Sequence, residues 1–579
     1  MKLLLTLFIA LLLSFGLKAQ VQINNKQLKG IANPSDTTDA VNVKTVQSGN
    51  LLYATATGTN AMNLTITPAI TNYNAGMIIN FKCPASNTNT VTLNVNGLGA
   101  RQLFKNVMDS LEAGNIRTGQ MVSVIYDGNN FQLLSTPNTA SLGKTFVTLS
   151  GDITDAEAAT IILNEVGSNT QYINVQFCPL LTTLDLSMVK RLDYITISNN
   201  INLQSVNLSN LKYVSQGLTS SNSVYIHTNP KLSSLNLNSL QTTLVGINLS
   251  NNYLTAINLP SLNYCSFVVV SGTSITSINL GQAKSVGSIT ISNTSVPSIN
   301  LNQLENISGG LIISNNLLLA SINSSIVKSI RGNLNISSNP LLTSISLSAL
   351  DSVGTLTISG NNLFSVLNLS SLKTINGNIT FTNNPSFASL NLSSMNSSLG
   401  AINISNNIAL TSINCANLTT CKGLYLDQDS LLSNINFDKL KTIANSYLSI
   451  SYCKLSSISF PLLDIVSSYI SIANNSNLTS ISFDSLIGGI NSYLTIKNNP
   501  LLNLIAHPNL KTFYYIEFRF NRLSTSTIND LLAFYVNITP ILSGKQIQLN
   551  SQVPTAAPSG LGITNKATLI SRGNTVQTD

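Results

Sequence analysis

The residues from Ile173 to about Phe520 repeat every 22 to 24 positions in the form LxIxxNxxLxSIxLxxLxxI, sixteen times with one longer step. A fixed period of this length is typical of a solenoid, in which each repeat is one coil stacked on the coil before it. Apolar and polar residues alternate within a coil, as at Leu334 and Ile336, which predicts short strands with one inward face. A single coil has no partner for its backbone hydrogen bonds, so the coils fold only as a stack.

One asparagine recurs at a fixed position of the repeat, and we predict that it is structural. A carboxamide both donates and accepts, so it can bridge backbone groups of successive coils at a corner without regular strand pairing. Thr273 and Thr294 interrupt the column, and Asp429 replaces the asparagine two residues after Asp427. We expect a variant turn there rather than catalysis or metal binding. The predicted asparagine ladder consists of Asn200, Asn229, Asn252, Asn316, Asn339, Asn361, Asn384, Asn407, Asn475, Asn499 and Asn521.

At these residues the sequence resembles the leucine-rich repeat superfamily, specifically the long-coil, asparagine-ladder kind found in receptor L domains and in surface proteins of the Bacteroidetes. The resemblance covers roughly 350 residues and implies a mainly β solenoid. It identifies no ligand, because this scaffold carries many unrelated binding activities.

The first residues have the form of a secretory signal. The stretch MKLLLTLFIALLLSFGLKAQ contains a lysine, an apolar run and a small residue, Ala19, after which a peptidase could cut. No later segment approaches the roughly eighteen consecutive apolar residues of a membrane span. We therefore expect residues 1–19 to be a removed signal peptide and the protein to be secreted, in the extracellular medium or at the cell surface.

Two further segments precede the solenoid. Residues 22–50 resemble the short repeats of phage tail fibres and trimeric adhesin stalks, and we assign residues 20–50 to a stalk-like linker. In residues 51–140, alternating stretches such as TVTLNVNGLG and MVSVIYDGNNFQLL predict a small β domain. That block is similar to a β domain of tail-fibre proteins, and the resemblance implies a homo-trimer that assembles through the N-terminal segment.

The solenoid itself is assigned to residues 171–523, with a cap at each end. In residues 141–170, Thr154 and Glu157 form a capping box before a helix that ends near Gly167, and we expect this helix to cover the first coil. In residues 524–579, STINDLLAFYVN predicts a helix, KQIQLN a strand, and KATLISRGNTVQTD a helix that leads into a last strand. The predicted fold is therefore a mainly β solenoid of about sixteen coils with helical and α/β end caps, preceded by a small β domain.

Composition argues against several functional classes. Charged residues make up 9% of the chain, and removal of Lys2 and Lys18 with the signal lowers the formal charge from +8 to +6. Without a dense Lys/Arg cluster we expect no nucleic-acid partner. His227 and His507 lie about 280 positions apart and the acids are scattered, so we predict no catalytic residues, no metal site and no cofactor.

The six cysteines do not form a recognisable disulfide framework or a CxxC metal motif. Two occupy the asparagine column and three occupy inward apolar positions, where a free cysteine acts as a small hydrophobe. The sequence leaves open whether Cys415 and Cys421, which share a coil, form a disulfide. The positions are Cys178 and Cys453 in the column, Cys265, Cys415 and Cys421 inward, and Cys83 in the N-terminal region.

Two outward columns of asparagine, serine and threonine, with Thr357 and Thr380 among them, predict flat, neutral faces. We interpret them chiefly as ladders that stabilise stacked strands. The exception is aromatic, because tyrosine occupies the residue before the first strand in four successive coils. The candidate ligand-binding residues are Tyr447, Tyr469, Tyr493 and Tyr515, and Tyr172 and Tyr194 hold the same position in the first two coils.

Stacked tyrosines present a rigid amphipathic strip, which suits contacts with a protein or a glycan. Ordinary ladder stacking or packing under the C-terminal cap are the alternatives for the same residues. We expect a non-enzymatic recognition or adhesion protein that binds an extracellular protein or glycan ligand through the solenoid. The alternative is a structural fibre or matrix spacer that assembles through its N-terminal segment.

Overall fold

The computed structural model describes Val46 and residues 52–134, 142–215, 224–272, 274–488 and 492–579. The predicted signal peptide and, apart from Val46, the stalk-like linker lie outside the described residues, as does Thr273 of the asparagine column. The chain divides into two compact units, Met1–Gly143 and Lys144–Asp579. Each unit is described by itself.

In the first unit the described strands form one mixed sheet whose ends join. The strands run in the order β4-β2-β1-β3-β7-β8-β5, and antiparallel pairing of β4 with β5 closes the ring, with β6 as a hairpin on β5. Alternate side chains point inward, and Met62, Phe81 and Phe131 are fully buried. The bounds are β1 Tyr53–Thr57, β2 Ala61–Thr65, β3 Ile78–Lys82, β4 Val91–Val95, β5 Arg101–Asn106, β6 Asp109–Ser110, β7 Met121–Tyr126 and β8 Phe131–Leu133.

The second unit is a parallel β-solenoid built on one continuous ladder of nineteen strands, which we call the long ladder. Ile173 pairs in parallel with Ile195, and the same inward position is kept from coil to coil up to the pair Ile516 and Ile547. This register confirms the predicted mainly β solenoid. The strands are Phe146–Ser150, Tyr172–Gln176, Tyr194–Ser198, Val224–His227, Ile247–Asn248, Tyr264–Ser271, Ser285–Ser292, Leu311–Ser314, Ser329–Ser337, Ser352–Ser359, Ile379–Thr382, Ala401–Ser405, Gly423–Asp427, Leu448–Ser451, Tyr469–Ala473, Tyr493–Lys497, Tyr515–Arg519, Gln546–Gln548 and Thr575–Gln577.

Short strands form the other sides of each coil. One row, which we call the short ladder, follows the asparagine corner and is split into separate parallel sheets. It comprises Thr183–Asp185, Ser205–Asn207, Ser234–Asn236, Ala256–Asn258, Ser277–Asn279, Ser298–Asn300, Ser321–Ser324, Ser344–Leu347, Val366–Asn368, Ser389–Asn391, Ser412–Asn414, Asn434–Asn436, Ser457–Ser459, Ser480–Ser482 and Leu504–Ala506. A second row of two-residue strands comprises Arg191–Leu192, Tyr213–Val214, Thr242–Thr243, Asn306–Ile307, Thr374–Ile375, Ser397–Ser398, Thr420–Cys421, Thr442–Ile443 and Ile465–Val466.

The asparagine ladder runs along the corner between the long and short ladders. The side-chain Oδ1 of Asn361 accepts from the backbone N–H and from Nδ2 of Asn339, at 3.0 and 3.2 Å. Its Nδ2 donates to the carbonyls of Ile336 and Ser359, both at 3.1 Å. Each amide thereby satisfies backbone groups of its own coil and of the preceding coil, although these asparagines are fully buried in mid-chain.

The residue before each ladder position adopts a left-handed conformation, which turns the chain at the corner. Asn383 has a φ of 57°, and Asn406 has the same value. Asparagine and glycine tolerate this region best, which explains the frequent NN dipeptides of the repeat. The corner continues past the predicted solenoid, since Ser551 has a φ of 61° and the Gln552 side chain bonds to Leu523 and Phe518.

The N-terminal cap contains the predicted helix and a strand that was not predicted. Helix α1, Asp155–Glu165, begins with the Thr154/Glu157 capping box. The carboxylate of Asp155 accepts from the backbone N–H groups of Thr182 and Thr183, at 2.7 and 3.1 Å, so the helix is tied to the short-ladder side of the first coil. The end of the long ladder is instead covered by Phe146–Ser150, which pairs with Tyr172–Gln176.

The C-terminal cap matches the predicted order of elements. Helix α2 is Thr525–Asn537 and helix α3 is Leu561–Ser571. The strands Gln546–Gln548 and Thr575–Gln577 pair with the long ladder in turn and lengthen it beyond the sixteen predicted coils. Among the described residues, no helix is both long and apolar enough to cross a lipid bilayer.

Candidate functional site

The four candidate tyrosines lie on the outward side of the long ladder, which we call the ladder face. In the strand Tyr469–Ala473, the inward Ile470 and Ile472 are buried, so Tyr469 and Ser471 point outward. Tyr469 is paired with Tyr493, and Tyr493 with Tyr515, in the strand register. The face therefore presents three outward side chains per coil, in columns that run along the solenoid.

The tyrosines separate into two groups. The rings of Tyr447 and Tyr469 stack at 4.2 Å with an interplanar angle of 12°, and Tyr425 meets Tyr447 edge-on at 4.3 Å. We call these three residues the tyrosine stack. Tyr493 contacts Tyr514 at 5.4 Å and Tyr515 at 5.9 Å. Tyr493, Tyr514 and Tyr515 are the tyrosine cluster.

A small, mostly apolar cavity separates the two groups. Tyr469 lines it on one side and Tyr493 on the other, with Leu486, Leu510 and Phe513 behind. Within the described residues, no ring contact joins Tyr469 to Tyr493 although their strands are paired. The sequence pattern predicted one continuous strip, and the structure has two groups with a gap between them.

The members of these groups differ in exposure and in hydrogen bonding. Tyr493 is 44% exposed, whereas Tyr447, Tyr469 and Tyr515 are half-buried. The hydroxyl of Tyr515 donates to Oε1 of Gln548 at 2.9 Å, which ties it to the next coil. Burial raises the pKa of the Tyr447 and Tyr515 hydroxyls, so both stay neutral hydrogen-bonding groups at ordinary pH.

The charged side chains beside the tyrosines are matched with one another. Nζ of Lys497 lies 3.4 Å from Glu517, and Arg519 lies 3.7 Å from the same carboxylate. On the strand of Tyr425, Asp427 accepts a hydrogen bond from the Ser451 hydroxyl at 2.5 Å. Two acids and two bases balance in this region, so the aromatic end of the ladder face carries no net charge from these groups.

A second aromatic group occupies the first coils of the same face. Phe146 and Tyr172 stack at 4.3 Å and 10°, and Tyr172 lies 5.4 Å from Tyr194. Phe146 is 61% exposed, while Tyr172 is buried. Phe146 was not predicted as a site residue because the strand FVTLS lies outside the repeat, although the alternation there is a usable signal. Tyr425, which belongs to the next column, was not predicted either.

Between the aromatic groups, six successive coils carry uncharged side chains on the ladder face, all of them small or polar except Ile312, and we call this tract the central array. At the edge of the array, glycines bring the backbones of neighbouring coils into direct contact. A Cβ atom on Gly354 would lie 2.3 Å from the Arg331 carbonyl oxygen, and a Cβ atom on Gly400 would lie 2.2 Å from the carbonyl carbon of Gly377. Only glycine fits there, and the edge of the array stays flat. The array consists of Ser288, Thr290, Ser292, Gly310, Ile312, Ser314, Asn333, Asn335, Ser337, Thr355, Thr357, Ser359, Asn378, Thr380, Thr382, Ala401, Asn403 and Ser405.

The reactive residue types are dispersed in the described part of the chain. No group of three or more His, Cys, Asp or Glu side chains is arranged there to hold a metal ion. All six cysteines are free and buried, and burial raises the pKa of Cys415 and Cys421 to about 12. His507 is buried against α2, where Nε2 lies 3.0 Å from the Tyr535 hydroxyl, and burial lowers its pKa to about 4.

No protein-family model matches this sequence, and no curated protein matches it. Among solved structures, the chain is similar to a leucine-rich repeat protein from Bacteroides ovatus ATCC 8483, with 15% identity, coverage of 58% of this chain and 86% of that chain, and a TM-score of 0.23. It is also similar to a chain of the TLR13-ssRNA13 complex, with 12% identity, coverage of 64% and 84%, and a TM-score of 0.11. TM-scores of this size carry no weight for function, and the fold follows from the strand register described above.

Proposed function

We propose that this chain is a secreted or cell-surface recognition protein, without catalytic activity, that binds an extracellular ligand through the ladder face. The observation that carries the proposal is the tyrosine stack, in which Tyr447 and Tyr469 are held parallel at 4.2 Å on a rigid parallel sheet. Tyrosine has only two side-chain torsions, so fixing it on a ladder gives a large contact area at low entropic cost.

The gap beside Tyr469 supports the same site. The half-buried Tyr469 and the exposed Tyr493 flank an apolar cavity of only about 10 Å³, so a ligand that lies over this gap contacts two aromatic rings and an apolar edge. Central, partly desolvated aromatic residues of this kind dominate many binding interfaces. In this proposal the N-terminal unit and the preceding segment attach or space the solenoid, as their resemblance to tail-fibre modules implies.

The test is the double substitution Tyr469→Ser with Tyr493→Ser in the whole mature protein. Binding is screened on arrays of immobilised glycans and secreted proteins, and the double variant should lose whatever interaction the wild type shows while its melting temperature changes little. Tyr253→Ser is the matched control, because Tyr253 is 57% exposed and lies at a turn away from the ladder face. A large fall in melting temperature for the double variant would instead assign the tyrosines a structural role.

Light scattering tests the proposed trimer. The mature protein is compared with a chain that starts at Leu142, close to the boundary between the two compact units. A trimer that becomes a monomer on truncation supports assembly through the N-terminal segment, which would present several solenoids for avid binding. A protein that assembles but binds nothing saturably fits the spacer role better.

A further inference from the structure

We propose that the ligand of the ladder face is an uncharged linear polysaccharide, which lies along the solenoid over the central array and reaches the tyrosine stack. This inference rests on the proposed function and specifies the chemistry of its ligand. Three features of the face carry it: the absence of charge, the translational repeat and the free hydroxyl groups.

The charge pattern of the face selects a neutral partner. The central array contains no Asp, Glu, Lys or Arg at any of its outward positions. At the tyrosine end, Lys497 and Arg519 are both engaged by Glu517. A carboxylated or sulfated polymer would therefore find no unpaired cation at these outward positions. The charged groups nearby are Asp427, which accepts a hydrogen bond from Ser451, and the exposed Arg331 at the edge of the array.

The geometry of the face selects a repeating partner. Parallel strands lie about 4.8 Å apart, so the six coils of the central array place uncharged side chains at equivalent positions at that interval over roughly 24 Å. The columns keep their register within the array, as shown by the pairs Thr290 with Ile312, Asn335 with Thr357, and Thr380 with Asn403, and the one bulge lies just before Asn333. A surface with a translational repeat is complementary to a polymer of identical units rather than to the irregular surface of a globular protein.

Three threonine hydroxyls in the middle column of the face are available to a ligand, whereas the first column is partly hydrogen-bonded within the face. The side-chain hydroxyls of Thr290, Thr357 and Thr380 are half-buried, and they make no hydrogen bond to other described residues. Each hydroxyl both donates and accepts, as do the hydroxyl groups of a sugar. Because the strands are rigid and the groups are fixed on one plane, little entropy is lost when they bind.

The tyrosine stack adds apolar contact at one end of this track. Since the faces of Tyr447 and Tyr469 cover each other at 4.2 Å, they present ring edges and hydroxyls to solvent. A sugar ring offers C–H and O–H groups side by side. The C–H groups can contact the tyrosine ring edges, and the O–H groups can hydrogen-bond to the tyrosine hydroxyls. The chain contains no Trp, so tyrosine supplies the aromatic surface that also carries a hydrogen-bonding group.

The experiment measures binding of the whole mature protein to immobilised polysaccharides by biolayer interferometry. The neutral probes are a β-glucan, a mannan, a galactan and a xylan, and the anionic probes are polygalacturonate and alginate. We expect at least one neutral polymer to bind, with an affinity that is insensitive to salt and that increases with oligosaccharide length. The anionic polymers should not bind more tightly than the neutral ones.

Substitutions locate the site. Thr357→Glu with Thr380→Glu places two charges in the central array and should weaken binding about tenfold or more. The matched control is Asn368→Glu with Asn391→Glu, which adds the same charges to the exposed face of the short ladder in the same two coils and should leave affinity unchanged. Thr357→Val with Thr380→Val removes the hydroxyls but keeps the strand-forming shape, so a smaller loss there separates ligand contact from misfolding.

The outcomes separate this inference from the proposed function. Binding of neutral polymers that survives in both central-array variants would overturn the assigned track. Binding confined to anionic polymers, or abolished by salt, would overturn the ligand chemistry. If no polysaccharide binds but a secreted protein does, and Tyr469→Ser with Tyr493→Ser removes that interaction, the inference fails while the recognition function stands.

Discussion

Two stretches of the asparagine ladder use the same corner with different side chains. From Asn316 to Asn407 every amide is present, and each coil is bonded to the next through Oδ1 and Nδ2. In the next two coils the ladder position is held by Asp429 and Cys453. We call these two stretches the continuous ladder and the substituted ladder.

The substituted ladder keeps only part of the bonding. Oδ1 of Asp429 accepts from the backbone N–H of Asn407 at 2.7 Å, as an asparagine oxygen would. Its Oδ2 is buried without a hydrogen-bond partner, where an asparagine would place the donating Nδ2. Cys453 offers no amide oxygen to the backbone N–H of Asp429. The backbone therefore keeps the same corner when an amide is lost. The loss of hydrogen bonding falls on the Oδ2 of Asp429 and on the backbone N–H of the same residue.

The largest effect is expected from breaking the continuous ladder with Asn361→Ala. The change removes the partner of the Asn339 N–H and one bond to the Ile336 carbonyl. It also takes one bond each from the Asn339 Nδ2 and the Ser359 carbonyl, which keep other partners. With about 1–3 kcal/mol for each buried unsatisfied group, partly relieved by relaxation, the free energy of unfolding should fall by about 5 kcal/mol. Calorimetric unfolding measures it, with Asn403→Ala, a change on the ladder face, as a control expected to stay within about 0.5 kcal/mol.

Repair of the substituted ladder by Asp429→Asn should have the next largest effect, and it should depend on pH. Burial raises the pKa of the Asp429 carboxyl from 3.8 to about 7. Between about pH 4 and 7 the native state keeps a proton that the unfolded chain has released, so stability falls as pH rises through this window. At pH 8 the asparagine variant should be more stable by up to about 4 kcal/mol.

The pH profile supplies the control for this prediction. Below about pH 4 both states of the wild type are protonated at Asp429, so the gain from Asp429→Asn should shrink to the value of the restored amide bonds. Melting temperatures recorded from pH 3 to pH 8 for both proteins test this. Parallel curves would contradict a buried, protonated carboxyl at this corner.

Cys453→Asn restores the second missing amide of the substituted ladder and should increase the free energy of unfolding by a smaller amount than Asp429→Asn. The cysteine Sγ lies 3.3 Å from the Ser451 carbonyl and 4.0 Å from the Leu426 carbonyl, the positions that an Nδ2 would reach. Asparagine would make both bonds properly and would provide an oxygen for the N–H of Asp429. We expect stabilisation by about 1.5 kcal/mol in denaturant unfolding. Destabilisation would show that the coil is packed around sulfur.

The smallest effect concerns the left-handed residue before the ladder. The continuous ladder uses Asn383 and Asn406 there, whereas the substituted ladder uses Gln428 and Tyr452, with φ values of 56° and 54°. Because bulky side chains pay more than asparagine in this region, Tyr452→Asn should stabilise by about 0.5–1 kcal/mol. Asn383→Ala should lower the free energy of unfolding by a similar amount. Melting temperatures equal to that of the wild type for both variants would show that the left-handed position does not prefer asparagine.

Much of the solenoid could be predicted from the sequence because its signals are local and repeated. The inward column from Ile173 to Ile516, the asparagine column and the capping box at Thr154 all follow from residue types at fixed spacing. The strand Phe146–Ser150 does not follow from the repeat because it lies outside the period, and five alternating residues alone do not show which strand they pair with. The strands that contain Ile547 and Val576 are predicted from the sequence as cap strands only. Their pairing with the long ladder is not, because helices α2 and α3 separate them from the repeat.

The candidate site was predictable in position but not in arrangement. Register alone places Tyr447, Tyr469, Tyr493 and Tyr515 in one column. Which rings meet depends on side-chain rotamers and on the packing between coils, and this divides the column at the cavity between Tyr469 and Tyr493. Tyr425 joins the stack from the adjacent column, a contact that no sequence spacing indicates.

The sequence by itself determined the coil period, the inward apolar columns and the amide ladder, because each is a repeated local choice whose partner is the same residue one coil away. Only the tertiary structure decided the closure of the first sheet through β4 and β5, the lone buried oxygen of Asp429 and the grouping of the tyrosines. These features arise where non-equivalent neighbours meet, and the packing at such a place is set by all the surrounding side chains rather than by the repeat.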